Sequence, residues 1–148
     1  SPLLLDIPKS FGEAIEPEDL QPHAAQIKEA DLLMIRTGFG AVRGEMPLRY
    51  AAEGPSVSSR TARYMVETFP NLKAVALDFI SLASYTNPAD GNVAHHYILG
   101  VHTKNYICII EDVNLAGLPA GQIVSVAAVP LMIEEIDSCP VTMWAELQ

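Results

Sequence analysis

A chain of 148 residues is long enough to bury a real core within one domain. Apolar residues make up 49% and charged residues 18%, a balance that excludes an intrinsically disordered chain. The net charge of −9, with nine Lys and Arg scattered along the sequence, repels phosphate backbones and anionic bilayers, so neither nucleic acid nor membrane is expected as a partner. No apolar run reaches the ~18 residues that a bilayer span needs, and no signal-peptide pattern is read. Cys108 and Cys139 have no framework of further cysteines and are expected as free thiols, which predicts a cytoplasmic protein.

In chain order, "LLLDI" (3–7) is short, apolar and followed by proline, which predicts a buried strand. A chain that opens directly on such a strand is expected to be cut or processed from something longer. "EPEDLQPHAAQIKEA" predicts a helix with Pro17 in its first position and Glu18 and Asp19 in its first turn, interrupted or restarted at Pro22. "DLLMIRTG" (31–38) predicts a second buried strand ended by glycine. Residues 38–57 are broken by glycine and proline, and predict a long, mostly irregular connection. In "SSRTARYMVETF" (58–69), Ala62, Met65, Val66 and Phe69 share one helical face, with Ser58 as N-cap. "KAVALDFIS" (73–81) predicts a third strand, and "GNVAHHYILG" (91–100) a short helix closed by Gly100. Further strands are predicted over "YICIIED" (106–112), "IVSVAAVPLMI" (123–133) and "VTMWAEL" (141–147). Strands that first alternate with helices and then follow one another predict an α/β fold with a mixed, mostly buried sheet, in a single domain over 1–148.

Few motifs carry chemistry. "GFGAVRG" (38–44) lacks the Lys-Ser/Thr of a phosphate loop and the spacing of a dinucleotide fingerprint, so it reads as a glycine-rich turn in which Arg43 is the side chain able to meet an anion. A Gly-x-Ser-x-Gly elbow and a Cys-x-x-Cys pair are both absent. His23 lies among polar helical residues and reads as solvated surface. Asp78 ends a buried strand and Ser81 follows it, at the place where ligand sites form in α/β sheets. His95, His96 and Glu111 come next. Imidazole and carboxylate are the usual donors to zinc or manganese, yet two donors do not hold a catalytic metal. On spacing alone, the simpler reading is that the histidines cap a helix while Glu111 and Asp112 face solvent.

The order "DLLMIRTGFG", "SSRTARYMVETFPNLKAVALDFISL", "AHHYILG", "YICIIEDVNLAGLP" and "SCPVTMWAEL" resembles the putative cyclase family, which contains kynurenine formamidase, isatin hydrolase and related metal-dependent amide or lactone hydrolases. The resemblance covers essentially all of the chain, and "IIEDVNLAGLP" is its most specific part. It implies a swivelling β/β/α-type fold, of which this chain is the C-terminal two-thirds, and a homo-oligomer. It implies His95 and Glu111 as ligands to Zn or Mn, and Asp78 and Ser81 as pocket-lining residues. Two departures stand out. His95 and Glu111 lie further apart than in the family pattern, with the extra length at "VHTKN" (101–105), which leaves His96 or His102 as the alternative ligand. The family's His-x-Gly-Thr-His-x-Asp segment, upstream of the strand matching "PLLLDI", has no counterpart here.

Two functions are therefore expected in competition. One is a metal-dependent, arylformamidase-like hydrolase of a small-molecule aryl amide or lactone, truncated and inactive alone, with its catalytic residues unassigned. The other is a non-catalytic, cyclase-like binding or assembly module. Phe39, Tyr50, Phe79, Tyr85, Tyr97 and Trp144 are the candidates for an aryl pocket.

Overall fold

A computed structural model describes residues 1–148. Strand β1 (Pro2–Asp6) leads into a two-residue strand, β2 (Ala14–Ile15), and a broken helical stretch. That stretch comprises α1 (Pro17–Leu20), a 3-10 turn (Gln21–His23) and α2 (Ala24–Glu29), with the interruption at Pro22 as its ring requires. Helix α1 starts on a reciprocal cap, in which the Glu16 N–H donates to Asp19 Oδ2 at 2.7 Å. Strand β3 (Leu32–Arg36) follows.

Residues 38–57 depart from the expected irregular connection. They form a 3-10 turn (Phe39–Ala41), α3 (Val42–Glu45), α4 (Pro47–Glu53) and β4 (Ser56–Val57). Pro47 at the first position starts α4, and packing overrides the glycines. The Tyr50 ring is buried and stacks on Phe39 with centroids 5.5 Å apart. Helix α5 (Ser59–Thr68) begins on Ser58, whose Oγ accepts from the Thr61 N–H at 3.2 Å. Its apolar face buries Ala62, Met65 and Val66. The remaining elements are β5 (Ala74–Leu77), α6 (Pro88–Ile98), β6 (Cys108–Ile110), β7 (Ile123–Pro130) and β8 (Val141–Leu147). Gly100 closes α6 with φ 78°, a left-handed conformation suited to glycine.

Strands β1, β3, β5 and β6 form one parallel sheet, in that order. Each new strand lies beside the previous one, and crossovers of a single hand then fall on one face. The burial pattern agrees. Leu5, Leu33, Ile35, Val75 and Leu77 join Ile27, Met65, Ala94 and Ile98 in a core of 22 residues on the helix side. Leu4, Met34 and Ala76 point the other way and meet Leu115, with Ile123, Val126 and Met143 of the last two strands packed against them. Both faces are covered, which is why the strands read as unbroken apolar runs.

The layers are thus β, β and α, an α/β fold. The two strand directions do not mix within the central sheet. β7 and β8 pair antiparallel as a separate ribbon, and β2 and β4 make a short parallel bridge beside the helices. The ribbon is also less buried than the sheet, with Val124, Val129 and Trp144 exposed. No helix is long and apolar enough to cross a membrane.

Candidate functional site

The carboxyl ends of β3, β5 and β6 lie side by side, and each continues into a polar residue or turn: Arg36-Thr37-Gly38, Asp78, and Glu111-Asp112. Asp78 is buried and organises the first turn. Its Oδ1 accepts from the Thr37 N–H at 2.9 Å and the Thr37 hydroxyl at 2.6 Å, while Oδ2 accepts from the Gly38 N–H at 2.9 Å. Gly38 has φ 81°, so the turn that delivers its N–H to Asp78 depends on glycine. A Cβ on Gly40 would lie 3.2 Å from the Asp78 carbonyl oxygen, which keeps the following turn close to the sheet.

Between these strand ends and the 113–116 loop lies a cleft of about 650 Å3. Its charged and polar wall is Arg36, Arg43, Tyr50, Asp78, Asp112 and Asn114. The Tyr50 hydroxyl donates to Asp112 Oδ1 at 2.7 Å, and Arg43 Nη1 donates to the same oxygen at 3.1 Å. Burial first, and then the hydrogen bond to Asp112, push the Tyr50 phenol well above its ordinary pKa, so it remains a donor. Asp112 has φ 59°, a conformation that Asp adopts at a cost of about 1 kcal/mol or more. Hydrogen bonds on either side of that residue hold it there: Asp112 N–H to Phe79 O and Val113 N–H to Leu77 O, both 2.9 Å. Arg36 forms the floor. Its Nη1 donates to the Leu115 and Leu118 carbonyls at 3.1 and 2.6 Å, tying the loop to β3.

Of the residues singled out from sequence, Asp78 lines this cleft, and Ser81, His95 and Glu111 lie outside its lining. Ser81 is half-buried, and its Oγ accepts from the Ala83 N–H at 3.4 Å. Glu111 Oε1 accepts from the Leu82 N–H at 2.7 Å and so pins the segment after β5 to the end of β6. His95 Nδ1 stands 2.9 Å from the Gly91 carbonyl one turn back, and since a carbonyl only accepts, Nδ1 is the donor and Nε2 is left out of this bond. His96 does not accompany it. The His96 ring lies 5.6 Å from that of His102, which in turn lies 4.9 Å from Tyr97. No three His, Cys, Asp or Glu side chains converge as a group able to hold a cation.

The residues that build the cleft wall had weak signals in sequence. Arg43 stood in the glycine-rich turn as an anion candidate, and Tyr50 among the aromatics. What joins them to Asp112 is a separation of 62 to 69 residues, which no local spacing reveals.

No family model matches the chain, and no solved structure matches it. A 77-residue stretch is 39% identical to an "Uncharacterized protein" of Haemophilus influenzae, covering 52% of this chain and 54% of that one. The match therefore spans about half the length of the curated relative, and it is a similarity in sequence that carries no activity with it.

Proposed function

We propose that this chain is a cyclase-like α/β module that holds a small amide or lactone at the carboxyl ends of its parallel strands, as part of an arylformamidase-like hydrolase. The observation that carries this reading is a convergence. The Asp-x-x-Ser segment and "IIEDVNLAGLP" are the parts that resemble the cyclase family, and they emerge from neighbouring strands on one side of a cleft large enough for a drug-sized molecule. Asp78 contributes by shaping the turn that walls the cleft, not by offering a free carboxylate. Glu111 positions the segment after β5.

The Zn or Mn that the resemblance implies does not fit the donors of this chain by themselves. His95 uses Nδ1 on the Gly91 carbonyl and Glu111 uses Oε1 on the Leu82 N–H, and no group of three His, Cys, Asp or Glu side chains forms around either of them. No hydrolytic step is therefore assigned to these residues. That same shortfall favours the second reading, a cyclase-like binding or assembly module that acts as a homo-oligomer without chemistry of its own. A cytoplasmic setting belongs to both readings, and the exposed, unpaired Cys108 supports it.

The deciding experiment is metal analysis by mass spectrometry on protein purified without chelator, beside His95→Ala and Glu111→Gln, together with an assay on an N-aryl formamide. Stoichiometric zinc or manganese that both variants lose, with hydrolysis, supports the hydrolase. Metal-free protein without hydrolysis leaves the binding module.

A further inference from the structure

The two walls of the cleft are held in place very differently. Residues 112–116 continue from β6, and Arg36 ties them to β3 through the Leu115 carbonyl. The facing wall is Gly40, Ala41, Arg43 and Gly44, in the 3-10 turn and α3. The backbone hydrogen bonds of that segment are local. The Ala41 N–H donates to Gly38 O, the Val42 N–H to Phe39 O and Gly40 O, and the Met46 N–H to Val42 O. Ala41 and residues 43–46 are exposed, while Val42 is half-buried against the core. Fixed points lie on either side. Asp78 grips the Thr37 and Gly38 N–H groups before the segment, and beyond it the buried Tyr50 ring stacks on Phe39 and bonds to Asp112. Gly40 and the non-helical Met46 (φ −135°, ψ 62°) flank α3 as backbone joints. Across the mouth of the cleft runs one bond, Arg43 Nη1 to Asp112 Oδ1 at 3.1 Å, from a side chain that is 62% exposed.

We propose that residues 40–46 form a lid that opens and closes over the cleft, with the Arg43–Asp112 pair as its latch. An exposed ion pair shifts a population by only about two- to fivefold, so open and closed forms lie within reach of one another. Opening breaks no hydrogen bond of the sheet and uncovers little apolar surface beyond Val42. The latch is one-sided. Tyr50 holds the Asp112 carboxylate from beneath, and the left-handed backbone of Asp112 is pinned by its neighbours' hydrogen bonds, so Arg43 is the half that leaves. The closed position is defined at the other end by Gly40, which seats on the Asp78 carbonyl where a Cβ would lie 3.2 Å from the oxygen. Phe39 and Tyr50 remain packed as the support on which the lid turns. A role in admitting small molecules rests on the reading that the cleft holds one; the motion itself does not.

The test is nuclear magnetic resonance of 15N-labelled protein with a neutral gadolinium chelate, whose paramagnetic broadening reports access to the amides of Gly38, Asp78 and Val113 in the cleft. Broadening at these amides should be weak in the parent protein and rise about two- to fivefold in Arg43→Gln, with Arg43→Lys intermediate because it keeps the charge and loses the fork. Raising NaCl from about 20 mM to about 0.5 M screens the latch, so the parent protein should move toward Arg43→Gln while that variant stays where it is. The buried amides of Leu33 and Ile35 should not respond. A rise in Arg43→Gln without a salt response in the parent protein would mean only that a side chain had left the mouth of the cleft, and would overturn the lid. No rise in the variant, or an equal rise at Leu33 and Ile35, would overturn it too. The measurement follows ligand-free protein, so its failure is distinguishable from failure of the hydrolase reading, which is decided by metal content and turnover.

Discussion

Asp6 and Arg36 are register partners on β1 and β3, and Arg36 grips both oxygens of Asp6, Nε to Oδ1 at 2.5 Å and Nη2 to Oδ2 at 2.9 Å. With Nη1 on the Leu115 and Leu118 carbonyls, one guanidinium fastens two strands and the loop beyond β6. The hydrogen bonds from Arg36 hold the Asp6 carboxyl below its ordinary 3.8, outweighing its partial desolvation. A lowered carboxyl pKa adds stability that is present above the unfolded value and is lost as pH falls through the folded one. Asp6→Asn should therefore cost up to about 1 kcal/mol at neutral pH, a surface-pair value, and progressively less below about pH 4. Urea unfolding of both proteins from neutral pH to pH 2.5 checks this; a gap that does not narrow in acid would contradict it.

Asp78 satisfies two buried or half-buried backbone N–H groups and one hydroxyl at once. Asp78→Ala leaves those donors without a partner and should cost about 3 kcal/mol or more. Asp78→Asn keeps one acceptor oxygen and should cost less. Chemical denaturation ranks the two, and equal losses would show that removal of the charge, not of the acceptors, is what matters.

Gly91 in α6 faces Ala83, and a Cβ there would overlap the Ala83 side chain and stand 3.1 Å from its Cα. Ala is the better helix former by about 1 kcal/mol, but overpacking of a rigid neighbour costs about 1–3 kcal/mol. Gly91→Ala should thus destabilise, and Ala83→Gly in the same chain should recover part of the loss. An additive double-mutant cycle would remove the contact as the cause.

The β7–β8 ribbon covers the second face of the sheet with a small cluster, Met34, Leu4, Ala76 and Leu115 beneath Val126 and Met143. A two-stranded ribbon has little stability of its own. In hydrogen exchange, the paired amides of Val126–Val129 should open before those of Leu33–Ile35, which lie between the fully buried core and the ribbon. Simultaneous exchange of both sets would mean that ribbon and sheet form one cooperative unit.

The four strands of the central sheet were legible because each is a short apolar run, and the runs are apolar throughout because helices cover one face and the ribbon the other. The α5 cap at Ser58 and the break at Pro22 were legible because each depends on one residue's local chemistry. Helices α3 and α4 were not, since Gly38, Gly40, Gly44 and Pro47 argue against regular structure and the stacking of Phe39 on Tyr50 decides the outcome. The β2–β4 bridge is two residues on each side, too short to show a period. Asp78 was legible as a strand end near a ligand site, although its role as a triple acceptor was not. The Arg43–Tyr50–Asp112 arrangement depends on tertiary proximity alone, which is why Asp112 read as a solvated carboxylate.

The strand order has a consequence for synthesis. Because β1, β3, β5 and β6 follow one another across the sheet as they do along the chain, no strand has to wedge between two that are already paired. As the polypeptide leaves the ribosome, each new strand can add to the outer edge of the structure made so far, and its helix can settle on the face already occupied by its predecessors. Assembly in the order of translation is then compatible with the final topology at every step, and a stalled chain would expose an unpaired growing edge instead of a misthreaded core.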